Sequence, residues 1–246
     1  NADLKIMDDN GNESNIVEKD NNYTPVEPEE PQPQSWIIAC EDLGNIGDYD
    51  FNDAVFKVAH VAGSNKLKVI PLASGGTYDI EVRYKETNIS QYANKGDKDF
   101  HQLINSGAQQ NNGLWQQIND KQKGTAGDTI TITDDALTSG FSLANGDYTN
   151  HGFSVYVKKN NGASITINQP ALDKKAPQML VLPEYWIWPY EGKIITSGYP
   201  DFKNWTNQQN IKSDWYTNPT TGQGYLVSDD IKDYPSPGGS SSGTTG

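Results

Sequence analysis

The hydrophobic positions of this chain recur in short runs, and within several of these runs they alternate with polar positions. From residue 54, AVFKVAHV is followed by KLKVIPLA and TYDIEVRYK, in which many apolar side chains are two positions apart. A period of two predicts strands with one buried and one solvated face. Ser74, Gly75 and Gly76 separate the second run from the third and predict a tight turn.

Further strands are predicted on both sides of this block. SWIIAC, from Ser35, and QMLVLP, ending at Pro183, are apolar runs, whereas DTITIT, GFSVYVKK and ASITIN contain more polar positions. Helical patterns are sparse, and strands and helices do not alternate regularly. The chain is therefore predicted to be all-β, an antiparallel β-sandwich with a jelly-roll arrangement as one option.

Two segments interrupt the strand pattern. Residues 88–125 are rich in Asn, Gln, Lys and Gly, which predicts a long polar surface insertion with one or two helical turns at DFHQLIN. We interpret His101, in those turns, as a surface or helix-face residue rather than a metal ligand. Near the other end, YPDFKNWTNQQ predicts a short helix with Trp205 turned inward.

Composition divides the chain into three regions and excludes several kinds of chemistry. Residues 1–34 read as an acidic, Pro-rich tail or linker, residues 35–227 as the sandwich domain, and residues 228–246 as a flexible C-terminal tail. The net charge of -13 argues against nucleic acid. No segment approaches the roughly 20 apolar residues of a transmembrane helix. The single cysteine, Cys40, excludes an internal disulfide and a Cys-based zinc site, and is predicted to be a buried apolar residue.

The stretch CEDLGNIGDYDFNDAVFKV, from Cys40 to Val58, concentrates negative charge. It has no Lys or Arg between residues 41 and 53, where its acidic residues are Glu41, Asp42, Asp48, Asp50 and Asp53. Like charges at this density repel each other unless a cation neutralises them, and carboxylate oxygens are preferred ligands of Ca²⁺. The sequence therefore predicts a calcium site here, and a solvated acidic loop is the alternative.

The spacing within this stretch bears on the kind of metal site. Asp48, Asp50 and Asn52 lie at i, i+2 and i+4, as in the opening of many calcium loops. The EF-hand pattern then fails, because Asp53 replaces its glycine and Ala59 its glutamate. A calcium site would therefore need further oxygen ligands, for which Asp201 and Asp214 are weak candidates. Magnesium is less favoured, since no phosphate-binding loop is present.

Two long motifs resemble a known family. WIIACEDLGNIGDYDFNDAVFKV (36–58) is similar to the opening of LruC-type domains, with the form W-x-x-A-F-E-D-L followed by D-x-D-F-N-D-x-V. KKAPQMLVLPEYWIWPYEGKIITSGYPDFKNW (174–205), followed by Asp214-Trp215-Tyr216, resembles the closing segment of that family. The two motifs frame residues 36–216. Cys40 departs from the pattern, since an aromatic residue is common at that position.

The resemblance implies an exported domain of bacterial, mainly Bacteroidetes, secreted proteins and surface lipoproteins. It also implies an acidic loop suspected of binding calcium, and the motif carries this role onto Glu41, Asp42, Asp48, Asp50, Asn52 and Asp53. The expected location is extracellular or on the outer-membrane surface, and a lipid anchor on a longer precursor is compatible with it.

We therefore predict a non-enzymatic, structural or adhesive surface module with a calcium-ordered loop, which binds a surface protein or assembles with itself. One alternative is a carbohydrate-binding module that uses exposed aromatic residues such as Trp115, Trp186 or Trp188, although such clusters are more often core. The other is a glycan hydrolase with paired carboxylates, of which Glu41 and Asp50 are one pair.

Overall fold

A computed structural model describes residues 5–7, 13–15, 35–42, 49–61, 63–119, 126–137, 152–168, 177–207, 214–220 and 222–227. The chain divides into two compact units, Asn1–Gln32 and Pro33–Gly246. In the first unit, β1 (Lys5–Met7) pairs antiparallel with β2 (Glu13–Asn15).

Two antiparallel sheets form the body of the second unit. The larger has the order β10-β5-β4-β3-β13, with β3 at Ser35–Cys40, β4 at Ala54–His60, β5 at Lys66–Ala73, β10 at Ile130–Thr133 and β13 at Met179–Pro183. The smaller has the order β12-β11-β6-β7, with β6 at Asp79–Tyr84, β7 at Thr87–Asn88, β11 at Phe153–Lys158 and β12 at Ser164–Ile167. A separate hairpin joins β8 (Gln110–Asn111) to β9 (Leu114–Trp115).

The described helices are short. They are α1 (Ile89–Tyr92), α2 (Phe100–Ile104), α3 (Ile195–Gly198), α4 (Phe202–Asn207) and a 3-10 helix (Trp215–Thr217). Within the described part of the chain, no helix has the length and apolarity needed to cross a bilayer.

The first core lies between the two sheets. Ile38 and Phe56 of the larger sheet are buried in one cluster with Val82 and Val155 of the smaller sheet. The alternation of β6, in which the buried residues are Ile80, Val82 and Tyr84, matches the period of two in the sequence. The all-β sandwich prediction is confirmed.

The second core covers the opposite face of the larger sheet. Ile37 and Ala39 of β3 are buried there with Leu180 of β13, beneath aromatic residues of the C-terminal helices. Every position of β3 is buried, which explains the continuous apolar run SWIIAC. Trp186 and Trp188 belong to this second core, with 1% and 4% of their surfaces exposed, so the hypothesis that they offer exposed sugar-stacking faces is wrong.

A bulge redirects β5 as it approaches its end. Phe56 of β4 pairs with Pro71, but Val55 pairs with Ala73, so Leu72 is an extra residue in β5. An extra residue exchanges the faces of the residues that follow it. Val69 accordingly lies in the first core, whereas Ala73 lies in the second.

The polar insertion is only partly a surface feature. Its predicted helical turn is confirmed as α2, which buries Phe100 and Leu103 in the first core. His101 lies on α2, as one part of its interpretation held, but it is fully buried, so its interpretation as a surface residue is wrong. Residues 120–125, at the end of the insertion, lie outside the described residues.

The aromatic packing of the second core predicts that truncation of Trp215 destabilises the protein. The centroid of the Trp215 ring lies 4.9 Å from that of Phe202 and 5.4 Å from that of Tyr199. Only 2% of the surface of Trp215 is exposed. Truncation of a buried Trp removes apolar contacts and leaves a cavity, so we expect Trp215→Ala to lower the free energy of unfolding by about 3–5 kcal/mol. Urea denaturation measures this loss.

Leu114→Ala is the matched control, because Leu114 is 39% exposed. Its expected effect is within about 0.5 kcal/mol, as for most surface substitutions. A Trp215 variant as stable as the control would contradict the described second core.

Candidate metal centre

The predicted acidic site lies where three strand ends meet. The last residue of β3, Cys40, pairs with the first residue of β4, Ala54. Glu41 and Asp53 therefore leave the sheet side by side, at the two ends of the connecting loop. The segment after β5 reaches the same place, because the backbone N–H of Gly75 donates to Asn52 O at 2.8 Å.

Three carboxylates converge at this point. Glu41, Asp42 and Asp53 each offer an oxygen, and these oxygens all lie within 4.8 Å of one another. The three residues are only 2%, 3% and 9% exposed. The Asp42 backbone N–H donates to Asp53 Oδ2 at 2.6 Å, which holds the two ends of the loop together. The structure thus brings together three of the six residues predicted as metal ligands.

The negative potential of the cluster appears in the pKa values around it. Burial raises the pKa of Asp53 well above its ordinary value, and the neighbouring carboxylates of Asp42 and Glu41 raise it further. Burial, with Asp53 and then Glu41, also raises the pKa of the Cys40 thiol. Burial and Glu41 raise the pKa of Tyr49. A bound cation would oppose the electrostatic part of all three shifts.

Asn52 adds a neutral oxygen beside the carboxylates. Its side chain is fully buried, and neither Oδ1 nor Nδ2 has a hydrogen-bond partner among the described residues. A buried amide without partners is costly, so this side chain calls for a ligand or an ordered water. Amide oxygens are common ligands of Ca²⁺.

Asp50 has a different role from the three converging carboxylates. Its Oδ2 accepts from the backbone N–H of Gly192 at 2.8 Å, and its Oδ1 accepts from the N–H of Asn52 at 3.4 Å. On either side of it, Tyr49 and Phe51 have positive φ angles of 50° and 54°, which bulky residues rarely adopt. Asp50 thus connects this sharply turned loop to the segment at Gly192 through a hydrogen bond.

The other predicted ligands do not extend the described group. Asp48 lies outside the described residues. Asp201 and Asp214 belong to the C-terminal helical region, where their backbone carbonyls accept from the N–H groups of Trp205 and Thr217. Neither carboxylate is part of the described three-residue group.

The glycine turn after β5 contacts the site closely. A Cβ on Gly76 would lie 2.6 Å from Asp42 Oδ2 and 3.2 Å from Asp53 Oδ1, and a Cβ on Gly75 would overlap Asn52 Oδ1. Both positions therefore require glycine for lack of space. The sequence marks these glycines only as a tight turn, and it gives no sign that the turn lies against the acidic loop.

His101 also supports this turn, a role that the sequence patterns did not predict. Because a carbonyl oxygen only accepts, His101 Nε2 donates to Gly76 O, at 2.7 Å. The other ring nitrogen, Nδ1, lies 2.6 Å from Asp99 Oδ1. Asp99 is the N-cap of α2, accepting from the His101 backbone N–H. The sequence feature that could have predicted this arrangement is an Asp at the start of a helix, followed two positions later by a His.

The chain matches no family model and no curated protein. Among solved structures it is similar to a "Putative lipoprotein" from Bacteroides ovatus, at 14% sequence identity and a TM-score of 0.41. The likeness covers 78% of this chain and 74% of that one. A likeness this distant carries no conclusion about family, location or function, and membership of the LruC-type family stays a prediction.

The raised pKa of Asp53 predicts a pH dependence of the metal-free protein. With the folded pKa above the ordinary 3.8, the folded state holds a proton that the unfolded chain releases. The resulting stabilisation is complete below the unfolded pKa and is lost as pH rises through the folded pKa. In EDTA, we therefore expect the free energy of unfolding of wild type, minus that of Asp53→Asn, to fall as pH rises.

Urea denaturation of both proteins over a pH series measures this difference. The variant removes the titrating carboxyl, so the pH dependence of distant carboxylates cancels in the subtraction. A difference that stays constant or increases with pH would show that burial does not raise the pKa of Asp53.

Proposed function

We propose that the loop from Glu41 to Asp53 binds a calcium ion, and that the protein is a non-enzymatic surface module whose fold this ion stabilises. The observation that supports this proposal is the convergence of three buried carboxylates beside a buried amide that has no partner among the described residues. Glu41, Asp42 and Asp53 supply negatively charged oxygens, and Asn52 Oδ1 supplies a neutral one. These are the ligand types that Ca²⁺ takes in proteins.

The chemistry of the site favours calcium over other common metals. Ca²⁺ accepts 6–8 oxygen ligands in irregular geometry, whereas Mg²⁺ needs a near-ideal octahedron and is usually held by one or two carboxylates with waters or phosphates. Zinc prefers Cys and His ligands. Cys40, next to the cluster, lies in the first core instead.

The ion would act mainly on stability. Its ligands would come from the end of β3, the start of β4 and the loop between them. A cation there offsets the repulsion among buried carboxylates, which otherwise opposes folding. Because Gly192 N–H donates to Asp50 Oδ2, ordering the loop would also fix the segment that leads into the C-terminal helices.

A non-enzymatic role fits this clustering better than hydrolysis does. A glycosidase separates its two carboxyl groups by about 5–10 Å in a substrate cleft and gives them different protonation states. Three carboxylates that meet within 4.8 Å share one space, which suits a single cation. The exported location and the structural or adhesive role, with a protein partner or self-assembly, rest on the motif resemblance. They remain part of the proposal.

Calcium should raise the melting temperature of the wild type relative to EDTA. A ligand that binds only the folded state at about 100 times its Kd adds about 2.7 kcal/mol, or roughly 5–10 °C for a domain of this size. Asp42→Asn/Asp53→Asn removes two of the three negative charges that would bind the ion, so calcium should shift its melting temperature far less than it shifts that of the wild type. Thermal scans followed by circular dichroism measure both proteins.

Asp97→Asn provides the control, since Asp97 is exposed and its carboxylate accepts from Gln91 Nε2, away from the cluster. This variant should keep the full calcium shift. Equal melting of wild type in calcium and EDTA would remove the metal proposal, and so would a full shift in the double variant.

A further inference from the structure

A second feature lies beside the carboxylate cluster and is separate from it. It is a cleft of about 360 Å³, which we call the amide cleft. Its polar lining consists of Asn105, Gln116, Gln117, Asn119, Tyr190 and Glu191. It adjoins the turn after β5, because Glu191 Oε2 would lie 2.6 Å from a Cβ on Gly75.

The lining has the chemistry of a site for neutral hydroxyl groups. Four of its side chains are amides, a group that can both donate and accept hydrogen bonds, and three of them, Asn105, Gln116 and Gln117, are exposed. Glu191 adds an acceptor, and none of the described residues that line the cleft is Lys or Arg. This composition disfavours anions, which the Glu191 carboxylate would repel. It also disfavours lipids, which would leave the amides without partners.

An aromatic ring completes the arrangement. Tyr190 packs against the second core and also lines the cleft. Its backbone is fixed, since its N–H donates to Tyr225 O at 3.0 Å. Aromatic rings offer an apolar surface to the C–H face of a sugar, while the neighbouring polar groups bind its hydroxyls.

The floor of the cleft is held rigidly. Ile118 exchanges two backbone hydrogen bonds with Ser74, both at 2.7 Å. Asn119 Oδ1 accepts from Trp188 Nε1 at 3.0 Å, and Asn119 Nδ2 donates to Pro189 O at 3.4 Å. A site whose parts are already fixed loses less entropy on binding.

The same bonds argue against a peptide as the ligand. An extended peptide binds by adding a strand to free backbone groups. At Ile118, Ser74 already uses both the N–H and the carbonyl. A ligand would therefore bind to side chains of the cleft rather than to the backbone of Ile118.

We propose that the amide cleft binds a neutral saccharide. Gln116 and Gln117, both exposed, bind hydroxyl groups of the sugar. Tyr190 and Glu191, which also line the cleft, contact the same ligand. This site differs from the exposed-tryptophan module considered from the sequence, and it does not depend on a metal ion at the carboxylate cluster.

A panel of neutral oligosaccharides tests the proposal on the full chain. We would titrate gluco-, manno-, xylo- and N-acetylglucosamine hexasaccharides, up to about 10 mM, by calorimetry. At least one should bind wild type, and Gln116→Ala/Gln117→Ala should weaken its affinity about tenfold or more, as expected for lost hydrogen bonds. Gln109→Ala, an exposed glutamine outside the cleft, should change affinity by less than about twofold.

Several results would overturn the proposal. These are no binding across the panel, unchanged affinity in the double variant, or binding of an extended peptide in place of every sugar. Titrations in calcium and in EDTA separate this site from the metal proposal. Sugar binding that the double variant loses supports the amide cleft in either condition, whether or not calcium shifts the melting temperature.

Discussion

The burial of β3 on both faces is the constraint on which the candidate site depends. All six of its residues are buried, between the smaller sheet and the C-terminal helices. A chain that leaves such a strand cannot reach water in one residue, so Glu41 and Asp42 remain buried immediately after it. Asp53 precedes the neighbouring strand and meets the same restriction. Packing of the sheet thus forces carboxylates together, at an electrostatic cost that a cation can offset.

Two distant parts of the chain bond the acidic loop directly, and a third supports the turn beside it. Gly192, near the C-terminal helices, donates to Asp50. His101, in the insertion, donates to Gly76 and so supports the turn beside Asp42. Ser74 Oγ donates to the backbone carbonyl of Asp53, at 3.2 Å. The loop is therefore a junction between the sandwich and its helical cover, which is why ordering it would affect the stability of the whole unit.

Local patterns predicted the fold better than the site. The period of two in β6 and the continuous apolar run of β3 match the burial of these strands, because successive side chains point to opposite faces of the sheet. The acidic loop was predicted from its charge. The different roles of its residues were not predicted, with Glu41, Asp42 and Asp53 converging while Asp50 bonds Gly192. Spacing along the chain cannot show that Asp50 binds Gly192, since the direction of that side chain depends on the positive φ angles of its neighbours. The support from His101 was missed because it joins residues 25 positions apart.

Gly75 links the two candidate sites physically. A side chain at this position would overlap Asn52 Oδ1 on the side of the carboxylate cluster and approach Glu191 Oε2 on the side of the amide cleft. Ser74, the preceding residue, bonds both Asp53 and the Ile118 floor of the cleft. The short backbone segment at Ser74 and Gly75 thus limits where Asn52 Oδ1 of the acidic loop and Glu191 of the amide cleft can lie.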